Sequence, residues 1–140
     1  MPQYFLAKTD PETYSITDFK KEKTTLWDGV HNYTAINFIK QWQVGDFVYI
    51  YHSQGENRIV GLAKVTHEPF ENKADPRFSF AANLELVKEF SADQKQLLSL
   101  KNIKSTGLFP DFNLVRNSRL STMSCPVEFV EWVSEVIGTK

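Results

Sequence analysis

The amino-acid sequence predicts an α+β fold, a bent mixed β-sheet or partial barrel flanked by helices. Three observations predict it. Two aromatic and β-branched runs, Phe47–His52 and Arg58–Thr66, are joined by the polar, Gly-containing connector 53–57 and read as a β-hairpin. A third strand candidate, Phe78–Phe90, extends the pair into a meander, and helical patterns lie on both sides of it along the chain. The 140 residues are 41% hydrophobic and 14% aromatic, enough to build one domain over 1–140 with a real core, and no repeat or linker divides them.

The elements follow in order. The apolar run Tyr4–Lys8, closed by Thr9-Asp10-Pro11, reads as a buried strand and a turn. Ser15, with Asp18 three positions on, marks the N-cap of a short helix whose solvated end is the Lys20–Lys23 run. From Tyr33 to Gln43 the residues Ala35, Ile36, Ile39 and Trp42 recur at helical spacing, and Gly45 sits where a C-terminal cap belongs. Beyond the meander, Ser91-Ala92-Asp93-Gln94 is a capping-box pattern opening a helix that ends near Leu100. Residues Lys101–Asn117 read as a long irregular loop of the kind that is either functional or disordered. Ser118–Met123 is a short strand, and Pro126–Ile137 a final helix with Pro in its first turn and Gly138 as its stop.

Composition narrows the chemistry. Sixteen Lys and Arg against 17 Asp and Glu leave a net charge of −1, which excludes a polybasic binder that works by bulk electrostatics. A local basic face stays open: Lys95, Lys101, Lys104, Arg116 and Arg119 meet only Asp111 in their segment, a charge excess that suits contact with a few phosphates and equally suits a solvated loop. One cysteine, Cys125, and three histidines give neither an intramolecular disulfide nor a clustered zinc-ligand set. The expectation is a reducing, cytoplasmic setting with no metal and no cofactor. The N-terminus lacks the regions of a signal peptide, and no apolar run approaches the ~20 residues that span a bilayer, so no membrane partner is expected.

No phosphate-binding glycine loop, zinc-protease motif or serine-hydrolase elbow occurs. His52 and Ser53 are adjacent on a strand and point to opposite faces, so they do not serve each other as base and nucleophile. The unusual stretch is Trp27-Asp28-Gly29-Val30-His31-Asn32-Tyr33, three rings and an amide in a non-periodic, Gly-containing segment read as a loop. Rings on a loop offer a platform for a base, and an Asn amide can read a base edge. The alternative is that Trp27 and Tyr33 plug the core beside the following helix. Phe47, Tyr49 and Tyr51 share a strand face that reads as core, leaving only the exit Tyr51-His52-Ser53 to line a mouth.

Taken in order, these stretches resemble the successive motifs of the EVE domain family of the PUA-like superfamily: Tyr4–Glu12, Thr25–Ala35, Val44-Gly45-Asp46, Tyr51-His52-Ser53, Ile59–Ala63 and Arg119-Leu120-Ser121. The resemblance covers essentially the whole chain. It implies a PUA-like bent mixed β-barrel flanked by helices and a non-catalytic nucleic-acid-binding module. Its pocket would take a modified base, with a modified cytosine flipped out of DNA as the leading candidate and DNA favoured over RNA, related to the aromatic cage of the YTH readers. On that analogy Trp27 is the stacking wall, with Tyr33 or Tyr51 as ring partners, and Asn32 and Tyr33 close the site. Lys8, Thr9, His52, Ser53, Arg119, Leu120 and Ser121 complete the pocket, and Lys101, Lys104, Arg116 and Arg119 form the face toward the backbone. An effector nuclease would act in trans. Two other readings stay open: an RNA-acting hydrolase of the ASCH-like type using Lys8, His52 and Arg119, and a sensor of a free modified nucleoside.

Overall fold

The computed structural model describes residues 2–138. Its elements are β1 (Tyr4–Thr9), α1 (Ile16–Glu22), β2 (Thr24–Val30), α2 (Tyr33–Ile39), β3 (Phe47–His52), β4 (Arg58–Val65), β5 (Phe70–Glu71), β6 (Phe80–Glu89), α3 (Ala92–Leu97), α4 (Leu100–Ser105), α5 (Asn113–Arg116), β7 (Thr122–Ser124) and α6 (Val127–Ile137). All seven strands join one mixed sheet in the order β2-β6-β4-β3-β1-β7, with β5 also on β6. Among the described residues only β1 and β3 pair in parallel, with Lys8 opposite Tyr51 and Thr9 opposite His52. Register shifts in the β3–β4 and β4–β6 pairs are bulges that add to the strands' natural twist, and the sheet curls into a half-barrel.

Alternation along the central strands divides the core in two. Phe5, Ala7, Val48 and Ile50 pack with Ile16, Phe19, Ile39 and Trp42 on the α1–α2 side. Leu6, Tyr49 and Tyr51 pack with Leu98, Ile103, Leu114 and Phe129 on the side covered by α3 to α6. Because both faces are covered, β3 is buried from Val48 through His52, which is why it reads as a continuous apolar run. Phe129, fully buried, contributes on the order of 2–3 kcal/mol and anchors α6.

Both capping boxes form as the sequence predicts: Ser15 with Asp18, and Ser91 with Gln94. Four expectations are corrected. Trp27 lies on a strand rather than a loop, since β2 pairs antiparallel with β6 and places Trp27 opposite Ala82. A bulge between Trp27 and Val30, with Gly29 at φ +78, breaks the period-2 signal there. The segment 101–117 is not one irregular loop: Ser99 caps α4 through the Asn102 amide, and α5 follows. The strand at 118–123 shifts to Thr122–Ser124. Finally, α2 ends at Ile39, where i→i−3 bonds at Gln41 and Trp42 tighten the chain and swing Trp42 into the core beside Phe5.

No helix among the described residues is long and apolar enough to cross a membrane.

Candidate functional site

The C-terminal end of β1 is where the candidate residues gather. Lys8 and Thr9 are consecutive and face opposite ways, so each serves a different recess.

The first recess, about 300 Å³, is lined by Thr9, Thr13, Tyr14, Thr25, Leu26, Trp27 and Asp28. Its construction is local. Asp10 turns the chain, accepting from the amides of Thr13 and Tyr14 with its carbonyl and from the Glu12 amide with Oδ1. The Thr9 hydroxyl donates to the Tyr14 carbonyl at 2.9 Å and closes the turn. The Tyr14 ring then meets Trp27 edge-on, centroids 6.4 Å apart at 84°. Its hydroxyl donates to Glu22, and burial together with that carboxylate pushes the phenol up to about 12, so Tyr14 is a neutral donor throughout the physiological range. Trp27 is only 7% exposed, so the core covers most of its indole and a small part lines the recess. The two rings make a corner, not a parallel sandwich.

The second recess, about 390 Å³, is lined by Lys8, Tyr51, Ser53, Gln54, Gly55, Asn57, Leu100, Leu114 and Ser118. The Lys8 ammonium donates to the Ser118 carbonyl at 3.0 Å and lies 5.5 Å from the centre of the Tyr51 ring. Burial lowers its pKa below the usual lysine value. Ser53 is held by its amide and hydroxyl, both donating to the Thr9 carbonyl, which ties the ends of β1 and β3 together. Among the described residues no carboxylate lines this recess, so the ammonium meets only uncharged neighbours there.

The structure thus brings Lys8, Tyr51 and Ser53 together, and separately Thr9 and Trp27. Neither recess is lined by Asn32, Tyr33, His52, Arg119, Leu120 or Ser121. Asn32 is the N-cap of α2, accepting from the Ala35 amide at 3.1 Å. Tyr33 is 71% exposed and packs against Phe78. His52 is buried between the Ile16 amide and Glu56. Leu120 sits in the core, and the Ser121 carbonyl accepts from the Lys8 amide. Lys101 and Lys104 are exposed on α4, and Arg116, exposed on α5, pairs loosely with Asp111 at 3.8 Å. Arg119 is exposed between α5 and β7. Sequence reasoning missed Thr13, Tyr14, Thr25 and Asp28 as lining residues; only the Asp10-Pro11 turn signal hinted that this segment folds back.

The family model described as EVE domain matches residues 3–136. Rat thymocyte nuclear protein 1 is 30% identical in an alignment covering 75% of this chain and 57% of that protein. The chain spans about half the length of the curated relatives it matches. Among solved structures, a Pseudomonas syringae protein superposes with TM-score 0.85 at 27% identity, covering 96% of this chain and 99% of that one. Human THYN1, solved in complex with 5-methylcytosine-containing DNA, superposes with TM-score 0.77 at 24% identity over 99% of both chains.

Proposed function

The chain belongs to the EVE domain family, and from that premise we propose that it is a non-catalytic reader of DNA that holds a modified cytosine, flipped from the helix, in the recess beside Trp27. The observation that carries the reading is the lining of that recess. The Asp28 carboxylate matches the exocyclic amine of cytosine, the residue type that accepts from that group in base readout. Thr13 and Thr25 supply hydroxyls, Thr9, whose proton goes to the Tyr14 carbonyl, supplies an acceptor, and the Tyr14–Trp27 corner gives apolar walls. The human relative's complex with 5-methylcytosine DNA supports the ligand class.

The energetics set what such a site can do. Extruding a base costs a few kcal/mol, and apolar contact with the Tyr14–Trp27 corner returns part of it at about 25 cal/mol per Å² buried. The edge hydrogen bonds supply the rest. A methyl group adds about 1 kcal/mol of apolar contact, so discrimination between cytosine and its methylated form in the pocket alone is about ten-fold or less. Lys8, beside the second recess, and the exposed Lys101, Lys104, Arg116 and Arg119 then supply contacts to the sugar-phosphate backbone. His52 spends both ring nitrogens on structural hydrogen bonds, which supports a binding role over catalysis. On this reading any cleavage belongs to an effector nuclease acting in trans.

The test is titration of fluorescent single- and double-stranded oligonucleotides carrying cytosine, 5-methylcytosine, 5-hydroxymethylcytosine or N6-methyladenine at two salt concentrations. Wild type binds the modified cytosines best, and Asp28→Ala weakens binding by about five-fold or more. Equal affinity for all oligonucleotides, or unchanged affinity in Asp28→Ala, would overturn the reading.

A further inference from the structure

Tyr33 and Phe78, 71% and 45% exposed, lie against each other with ring centroids 5.9 Å apart and planes at 33°. Phe78 meets Phe80 edge-on, also at 5.9 Å, and the Lys40 ammonium lies 5.3 Å from the centre of the Phe80 ring. Single exposed apolar side chains are ordinary on protein surfaces; here two exposed rings adjoin a half-buried third with a cation over it.

The run is assembled from three segments, α2, the loop 72–79 and β6, and the loop is firmly tied. The Asp75 carboxylate pairs with the His31 ring at 2.7 Å and accepts from the Ser79 hydroxyl at 2.8 Å and the Arg77 amide at 2.9 Å. The Asn72 amide donates to the Ser79 carbonyl at 2.9 Å. Phe78 is therefore presented by an ordered loop, and the acid of that loop is consumed internally rather than facing a ligand.

The run lies on the same strand pair as Trp27, past the bulge in β2. Val30, three residues beyond Trp27 on β2, is the cross-strand partner of Phe80.

We propose that Tyr33 and Phe78 form a second nucleic-acid contact, a stacking platform for an unpaired base on the strand whose modified base enters the Trp27 recess, with Lys40 beside it for a phosphate. This rests on the DNA-reading function proposed above. The chemistry is sequence-tolerant because every base offers a π-face, so the platform adds affinity for opened or single-stranded DNA without adding preference for the modification.

The experiment uses the full chain and single-stranded oligonucleotides with one 5-methylcytosine or with cytosine in its place, either intact or with an abasic site at each of the first four positions on either side. Circular dichroism establishes that the variants are folded. Tyr33→Ala weakens binding of the intact oligonucleotide by about five-fold or more, and Tyr33→Phe, which keeps the ring, binds as wild type does. One abasic position weakens wild type by a similar factor and costs Tyr33→Ala nothing further, because the two changes remove the same contact. The ratio of affinities for methylated and unmethylated strands stays the same in all variants. Wild-type binding with no loss in Tyr33→Ala, or an abasic effect that simply adds to it, overturns the platform and leaves the Trp27 reading standing. No binding of any oligonucleotide by wild type overturns both.

Discussion

The backbone N–H of Ile16 donates to Nε2 of His52 at 3.0 Å, which assigns the ring proton to Nδ1, 3.0 Å from the Glu56 carboxylate. The histidine at the end of β3 thereby holds the first turn of α1, and with it the Tyr14 wall of the recess two residues upstream.

His52→Ala leaves the Ile16 amide without its partner in a buried position, at a cost of about 1–3 kcal/mol, more than Glu56→Ala, whose carboxylate is partly exposed. Urea denaturation measures the difference, and hydrogen exchange locates it at the start of α1. The bond from His52 holds the Glu56 carboxyl below its usual range. Its stabilisation is therefore fully present above the unfolded carboxyl pKa of about 4.3 and fades as pH falls through the lower folded value.

Asp75 follows the same sign. The Arg77 amide, the His31 ring and the Ser79 hydroxyl push its carboxyl down to about 2, so its contribution is whole above about 3.9 and is lost as pH falls toward 2. Asp75→Asn is expected to flatten the pH dependence of stability in that window and to raise amide exchange in the loop 72–79. An unchanged acid limb would show that the loop does not depend on this carboxylate.

Gly61 is required by space. A Cβ there would lie 2.7 Å from Ile16 Cδ1 and 2.9 Å from the Lys88 carbonyl oxygen, across the β4–β6 pair. Gly61→Ala costs about 1–3 kcal/mol of stability. Ile16→Val relieves the side-chain clash but not the carbonyl one, so the double variant recovers only part of the loss, which a double-mutant cycle reads directly.

Trp27→Ala removes a largely buried indole from the core and costs about 3–5 kcal/mol, so lost DNA binding in that variant would report unfolding as much as a missing contact. Trp27→Phe keeps most of the packing. It is expected to stay folded by thermal melt while altering affinity for modified cytosine.

Much of the architecture was legible because its signals are local. The Ser15 and Ser91 capping boxes, the hairpin around Gly55 and the apolar stripe of α6 each lie within about twenty residues, and each appears where the pattern placed it. β2 was hidden because it is an edge strand in which only Trp27 is buried and the Asp28–Gly29 bulge interrupts the alternation. α4 and α5 were hidden because each buries one residue, Ile103 and Leu114, too few to display a helical period.

The candidate site divides along the same line. Trp27 and Thr9 stood out by residue type and motif, whereas Tyr14, Thr13, Thr25 and Asp28 become lining residues only when the turn around Asp10 folds back over β2. By itself the sequence determined the capped helices, the hairpin and the resemblance to one family, since capping, alternation and turn chemistry act between near neighbours. That Lys8 and Thr9 serve different recesses, that Trp27 is largely buried and that Tyr33 packs on Phe78 came only with the folded structure. Those outcomes depend on strand register and on packing between segments far apart in the chain, which no local pattern encodes.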